Sequence, residues 1–162
     1  MRLNKLRKLL TLLIFLTLPN LAIAKDFSNR FERCEPYKDT VIGILQQHDV
    51  PEYFYFLMIA ESTCRLNESD KGALGFWQMM PSTQRHYECH DFADLECQTH
   101  AAAKYLLHLL RMFDGNKDDV IHGYNQGGRN YKRRGKTKSS TALVYTVRRM
   151  YKQYKTWEIE ND

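Results

Sequence analysis

Glu61 is the residue whose neighbours along the chain best fit acid–base chemistry. It follows Phe54, Leu57 and Met58 at the spacing i, i+3, i+4 and i+7, so a helix would place its carboxyl group at the end of an apolar stripe. Apolar neighbours exclude water from a carboxyl group, which disfavours the charged form and raises the pKa. Such a group can donate a proton near neutral pH. Alternatively, the helix ends at Ala60 and Glu61 is solvated, and periodicity supports both interpretations equally.

Helices account for most of the predicted structure around this residue. Apolar spacing and capping residues predict helices over residues 37–48, 52–62, 98–113 and 118–124, a short one from Pro81, and a final one capped by Ser139 or Ser140. Residues 67–80 have no helical period and contain two glycines, which leaves room for a small β-hairpin beside the helix of Glu61. The predicted fold class is therefore mainly α, as a single helical domain.

Three ordered motifs include or follow Glu61. They are Glu61-Ser62 with the run Ser-Asp-Lys-Gly-Ala-Leu-Gly-Phe-Trp-Gln-Met-Met-Pro-Ser-Thr over residues 69–83, the alanine-rich segment 101–106, and Gly-Tyr-Asn-Gln-Gly-Gly over residues 123–128. In this order they resemble the soluble lytic transglycosylase family. The resemblance covers residues 50–129. It departs from the family pattern in a slightly shorter interval after Glu61 and in Gln126, where the family often has alanine.

The resemblance implies a lysozyme-like fold of the α+β type and a role for each matching residue. Glu61 would act as acid and then base in cutting the bond between N-acetylmuramic acid and N-acetylglucosamine of peptidoglycan, without water and without a metal or organic cofactor. Tyr124 and Asn125 would orient the acetamido group of the sugar, and Gln78 would hydrogen-bond the sugar. Ser69 would line the site, although a turn-forming role for this serine is equally compatible with the sequence. Trp77, Met79 and Met80 are more simply core residues.

Two other functions fit the same residues. A goose-type lysozyme would share the fold and hydrolyse the bond, and it would need a second carboxylate such as Glu68 or Asp70 to position water. A secreted binding or scaffold protein would keep the groove without catalysis. The resemblance also extends to compact family members that open gaps in the wall for secretion, conjugation or pilus machinery, so peptidoglycan strands and such machinery are the expected partners.

Four cysteines are expected to form two disulfides in an oxidising compartment. Cys34, Cys64, Cys89 and Cys97 allow three pairings, and proximity in the sequence favours Cys34 with Cys64 and Cys89 with Cys97. The alternative is a zinc site, because several histidines lie near the last two cysteines. Its candidate ligands are His86, Cys89, His90, Cys97 and His100.

The first 24 residues are typical of a secretory signal peptide, with basic residues before an apolar run and a small-residue end at Ala24. The mature domain would be 25–162, located in the periplasm without a stable membrane anchor. Removal of the peptide lowers the net charge from +5 to +1, which leaves a basic C-terminal half. In an exported protein such charge favours anionic envelope polymers over nucleic acid. The basic run 129–138 could attract the carboxylates of peptide stems or other anionic envelope components, and the alternative is a flexible solvated loop.

Overall fold

The computed structural model describes residues 27–161, apart from the side chains of residues 157, 160 and 161. The predicted signal peptide lies outside the described residues. Eight α-helices are present in this part of the chain: α1 (27–34), α2 (Lys38–Gln47), α3 (Tyr55–Ser62), α4 (Pro81–His86), α5 (Leu95–Met112), α6 (Lys117–Gln126), α7 (Gly128–Arg134) and α8 (Lys138–Asn161). Short 3-10 turns at Glu35–Tyr37 and Glu52–Phe54 lead into α2 and α3. The prediction of a mainly α fold is confirmed.

Helix α3 is the centre of the core. Every side chain from Tyr55 to Ile59 is buried, because α2 packs against one part of the helix and α8 against another. Helix α5 packs against α2 and α6 and contributes Ala101, Ala102 and Leu106, all fully buried. Within residues 27–161, no helix combines the length and apolar character needed to cross a bilayer.

The predicted hairpin is present only as two isolated antiparallel bridges, Glu68 with Leu74 and Leu74 with Met79. The described residues contain no regular strand, because two tight turns follow each other directly. The amide of Gly72 donates to the carbonyl of Ser69 at 2.8 Å, and the amide of Gln78 donates to that of Gly75 at 3.4 Å. Little more than Leu74 remains between the turns, and one residue cannot form a strand.

The basic run, for which a solvated loop is the alternative interpretation, is instead largely helical, as α7. Gly128 permits this arrangement, since a Cβ there would lie 2.7 Å from the sulfur of Met112 in α5. The predicted cap of α8 by Ser139 or Ser140 is also wrong. Thr137 is the cap: its Oγ1 accepts from the Ser140 amide at 3.1 Å, and the Thr137 amide donates back to Ser140 Oγ at 3.2 Å.

Two disulfides connect segments around the helical core. Cys34 at the end of α1 bonds to Cys64 just after α3, and Cys89 bonds to Cys97 in the first turn of α5. These are the pairs that sequence proximity favours. The second bond removes both sulfur ligands of the zinc alternative, and no group of three or more candidate metal-binding side chains occurs within the described residues.

Candidate active site

Glu61 lies in the last turn of α3, where the sequence predicts the end of an apolar stripe. The five buried side chains that precede it hold this helix inside the core, and Glu61 itself is half-buried, with its carboxyl group largely surrounded by protein. Burial raises the pKa of Glu61 from 4.5 to about 7. The group is therefore substantially protonated at neutral pH and ready to donate a proton. The alternative of a fully solvated residue at a helix end is wrong.

The chain turns sharply after Glu61 through two residues in the left-handed region. Thr63 and Cys64 have φ values of 50° and 55°, and residues with a Cβ adopt such values only at a cost in conformational energy. Two contacts support this turn: the Cys64 amide donates to Ser62 Oγ at 3.0 Å, and the disulfide ties Cys64 to Cys34. Because the turn follows directly on Glu61, these contacts help to fix the position of its carboxyl group.

Glu61 lines a groove with a volume of about 660 Å³. One wall is the turn segment 67–80, and the other is formed by α6, α7 and the start of α8. All five predicted site residues line this groove: Glu61, Ser69, Gln78, Tyr124 and Asn125. The structure thus brings together residues that are up to 64 positions apart in the sequence.

Two of these residues also hold the turn segment in shape. Ser69 Oγ accepts a hydrogen bond from the Ala73 amide at 3.0 Å, so the serine both lines the groove and closes a turn. Gln78 donates its side-chain amide to the carbonyls of Asn67 and Gly75 at 2.9 and 2.8 Å. The Gln78 nitrogen is occupied by the protein itself, which leaves Oε1 as the atom that could accept a hydrogen bond from a sugar.

Tyr124 joins the two walls of the groove. Its buried hydroxyl group donates to the carbonyl of Trp77 at 2.7 Å, and its ring lies 5.4 Å from the ring of Tyr105. Burial, with a smaller contribution from nearby Glu61, raises the pKa of Tyr124 well above its usual value, so the hydroxyl group keeps its proton. Asn125 is exposed at the groove. Trp77 is a core residue, as predicted, with its indole nitrogen donating to Thr99 at 3.0 Å.

Comparison with known proteins identifies the family of this fold and site. Residues 42–146, well over half of the chain, match the family model of the Transglycosylase SLT domain. The chain belongs to this family. It is also 31% identical over 102 residues to the Membrane-bound lytic murein transglycosylase D of Escherichia coli strain K12 and to the protein of the same name from E. coli O6:H1. The match covers 59% of this chain and spans 23% of the length of these relatives.

The groove of this SLT domain includes residues that the sequence motifs leave without a role. Tyr105, Met80, Arg134 and Lys71 all line it. Met80 is 44% exposed, so its assignment to the core is wrong, whereas buried Met79 fits it. The alanine-rich motif contains Tyr105, but only the contact with Tyr124 shows that this ring belongs to the site. Arg134 is brought in by α7, which local sequence signals do not predict.

A second carboxylate is not present among the described residues that line the groove of the SLT domain. Glu68 and Asp70, the candidates for positioning a hydrolytic water, are both exposed and lie outside the lining. The Glu68 carboxylate instead lies beside Gly72, 3.8 Å from the position of a Cβ there. Among the described residues that line the groove, Glu61 is therefore the one that carries a carboxyl group.

Proposed function

We propose that this SLT domain is a peptidoglycan lytic transglycosylase. It cleaves the β-1,4 bond between N-acetylmuramic acid and N-acetylglucosamine without water and leaves 1,6-anhydro-N-acetylmuramic acid ends. The observation that carries the proposal is the single buried carboxyl group of Glu61, with its pKa raised to about 7, at a groove whose described lining holds no other carboxylate. Most glycosidases that use water need two carboxyl groups.

In the proposed reaction Glu61 acts twice. It first donates its proton to the oxygen of the glycosidic bond, and the bond from that oxygen to the anomeric carbon breaks. The acetamido oxygen of the same muramic acid stabilises the positive charge that develops on this carbon. The Glu61 carboxylate then accepts the proton of the sugar's 6-hydroxyl group, whose oxygen bonds to the anomeric carbon. The enzyme regains its proton, and the two products together have the composition of the substrate.

Tyr124 and Asn125 are proposed to hold the acetamido group in the orientation that this step requires. The contacts of Tyr124 support this role, because its ring packs against Tyr105 and its hydroxyl group is held by the Trp77 carbonyl. Gln78 would accept a hydrogen bond from the sugar through Oε1, and Ser69 would line the site while keeping the turn segment closed. When the side chains of a site are already ordered before the substrate binds, less free energy is spent on ordering them during binding.

Mass spectrometry of digested peptidoglycan tests the reaction. Anhydro ends are lighter than reducing ends by one water, so the proposed reaction gives the lighter mass, and only reducing ends would identify a hydrolase instead. Glu61→Gln keeps the size of the side chain and removes the acid, and we expect it to lower the rate by about 10²- to 10⁴-fold. Glu68→Gln is the matched control, because its carboxylate lies outside the groove lining. Unchanged release by Glu61→Gln would favour a scaffold without catalysis.

The proposed setting is the periplasm, after removal of a signal peptide. The two disulfides support an oxidising compartment, and peptidoglycan strands are the proposed partner. Fractionation of cells expressing the full chain, with N-terminal sequencing, tests export and cleavage after Ala24. Service to a secretion, conjugation or pilus system rests on the resemblance to compact family members. A gene neighbourhood without such machinery would count against it.

A further inference from the structure

A second, smaller pocket meets the groove at Glu61. Its volume is about 400 Å³, and Glu61 is the one residue that its described lining shares with the groove. Helix α1 forms one side, and the other side is the end of α3 with the turn that follows it. When a ligand in the groove has one of its bonds at the Glu61 carboxyl group, the smaller pocket therefore lies immediately beside that bond.

The pocket is strongly basic. Three arginines line it, Arg30 and Arg33 from α1 and Arg65 from the turn, and Glu61 is the only acidic residue in the described lining. The guanidinium groups of Arg33 and Arg65 are exposed and form no hydrogen bond or ion pair with the described side chains of residues 27–161. A guanidinium group presents paired donors that match the two oxygens of a carboxylate. The ligand chemistry indicated is a carboxylate.

The Cys34–Cys64 disulfide holds the two sides of this pocket together. Arg33 directly precedes Cys34, and Arg65 directly follows Cys64. The Cα atoms of the two cysteines are 5.4 Å apart. The two arginines are therefore attached to a covalently fixed base, although 31 residues, from Cys34 to Cys64, lie between them along the chain. Such a base lowers the cost of bringing two positive charges to the same ligand.

We propose that this pocket binds the carboxylates of the peptide stem carried by the glycan strand next to the bond that is cleaved. This inference rests on the proposed function and deepens it, because it makes stem-bearing strands the preferred substrate. Muramic acid carries the stem, and the stem ends in carboxylates that reach beyond the sugar backbone. The pocket has the volume of a small-ligand site, which suits a few residues of a peptide.

The electrostatics of the site are compatible with both tasks. Burial is the cause of the raised pKa of Glu61, and the arginines of the pocket do not offset it. The positive charge is thus placed where it can bind a stem without removing the proton that the reaction needs. Binding and acid catalysis can occur together.

Cleavage of two substrates tests the proposal: strands with intact stems, and the same strands after an amidase has hydrolysed the stems away, which leaves a single lactyl carboxylate on each muramic acid. We expect the double variant Arg33→Gln/Arg65→Gln to lower the ratio of kcat/KM for stem-bearing over stem-free strands by about three- to tenfold. As the salt concentration rises, this ratio should decline for the unaltered protein and should decline much less for the double variant. Arg111→Gln, an exposed arginine at the end of α5, is the matched control and should keep the original ratio.

An unchanged ratio would overturn the proposal, and so would an equal loss on both substrates, because the arginines would then act on the lactyl group that both substrates carry, on the sugar backbone or on the fold, and not on the stem. Calorimetric binding of a stem-bearing fragment to Glu61→Gln, with and without the two arginine substitutions, gives a second readout that needs no activity. Weaker binding by about the same factor supports the proposal, and equal binding rejects it. An active Glu61→Gln protein would instead contradict the proposed function.

Discussion

Burial of Glu61 has opposite effects on stability and on the proposed activity. The unfolded chain can ionise this carboxyl group at pH values above its ordinary pKa, whereas the folded protein holds it protonated up to about pH 7. The folded state therefore loses stability as the pH rises from about 4.5 to 7, because only the unfolded state releases the proton in that range. The proton that the proposed reaction needs is therefore retained at a cost in the free energy of unfolding.

Glu61→Gln should consequently stabilise the protein at neutral and alkaline pH. The gain in the free energy of unfolding relative to the unaltered protein is expected to reach at most about 3 kcal/mol near pH 8 and to be small near pH 4, where the acid is protonated in both states. Urea unfolding of both proteins at the two pH values measures the difference. A gain that does not grow with pH would contradict the burial of an ionisable group at this position.

The same pKa predicts the alkaline limb of the activity profile. In the proposed reaction the free enzyme carries a proton on Glu61, so kcat/KM should decline as the pH rises through about 7, roughly tenfold per pH unit above it. Initial rates on purified sacculi between pH 5 and 9 measure this limb, and unfolding checks at each pH exclude loss of folded protein. A limb near the ordinary pKa of a glutamic acid would mean that the group is solvated during the reaction.

Tyr124→Phe tests the contact that joins the groove walls. Removing the hydroxyl group leaves the buried Trp77 carbonyl without its donor, so the free energy of unfolding should decrease by about 1–3 kcal/mol. Tyr105→Phe is the matched control for stability, since its hydroxyl group makes a longer bond of 3.3 Å to the Gly123 carbonyl. Thermal unfolding compares the two variants. An equal effect would show that the Trp77 contact has no special weight.

The sequence indicated Glu61 as the candidate acid, but it did not predict much of the groove around it. Helical spacing is local, so it placed Glu61 after Leu57 and Met58 on an apolar stripe, but it did not decide between a buried carboxyl group and a solvated one. Met80 and Tyr105 line the groove because of packing between distant segments, and local spacing contains no information about such contacts. Gln78 was expected to hydrogen-bond the sugar, and the sequence did not show that its side-chain nitrogen donates to the carbonyls of Asn67 and Gly75.

At the scale of elements, the turn segment 67–80 depends on a close approach between backbone and core. Gly75 has a φ of 78°, and a Cβ there would lie 2.1 Å from Oε1 of the buried Gln98 in α5. Gln98 in turn donates to the carbonyl of Phe92 at 2.9 Å, so it is not free to move aside. The contact sets the depth at which this wall of the groove lies against α5.

Gly75→Ala is therefore expected to be costly in a way that backbone conformation alone does not explain. Gly115→Ala is the matched control, because its φ of 76° is nearly the same and a Cβ there would meet nothing within 4 Å. We expect a loss of about 1–2 kcal/mol for the control and about 3 kcal/mol or more for Gly75→Ala, with the difference due to the clash. Urea unfolding gives both values, and equal losses would contradict the close approach.

Helices with strong local signals were predicted well, and those that depend on tertiary contacts were not. Helix α5 has an apolar stripe and a clear stop at Asp114 and Gly115, so its existence followed from the sequence. Helix α7 is short, consists largely of polar and basic residues, and has no apolar face of its own. Its helical form depends on packing against α6 and on the lack of a side chain at Gly128, which only the folded structure shows.

At the scale of the whole molecule, the two disulfides differ in the length of chain that they constrain. Cys34–Cys64 closes a loop with a sequence separation of 30, which includes α2 and α3, whereas Cys89–Cys97 closes one of only 8. A disulfide restricts the unfolded chain more when the loop is longer. The longer loop is also the one that carries Glu61 and ends beside both arginines of the basic pocket.

Removal of each bond by paired serine substitutions should thus have different consequences. We expect Cys34→Ser/Cys64→Ser to lower the free energy of unfolding by about 4 kcal/mol and Cys89→Ser/Cys97→Ser by about 3 kcal/mol. The first variant should also weaken the preference for stem-bearing strands, because Arg33 and Arg65 lose their common base, and the second should retain it. Urea unfolding and the two-substrate ratio measure the two effects. Equal loss of preference in both variants would mean that general stability, and not the local bond, positions the pocket beside the acid.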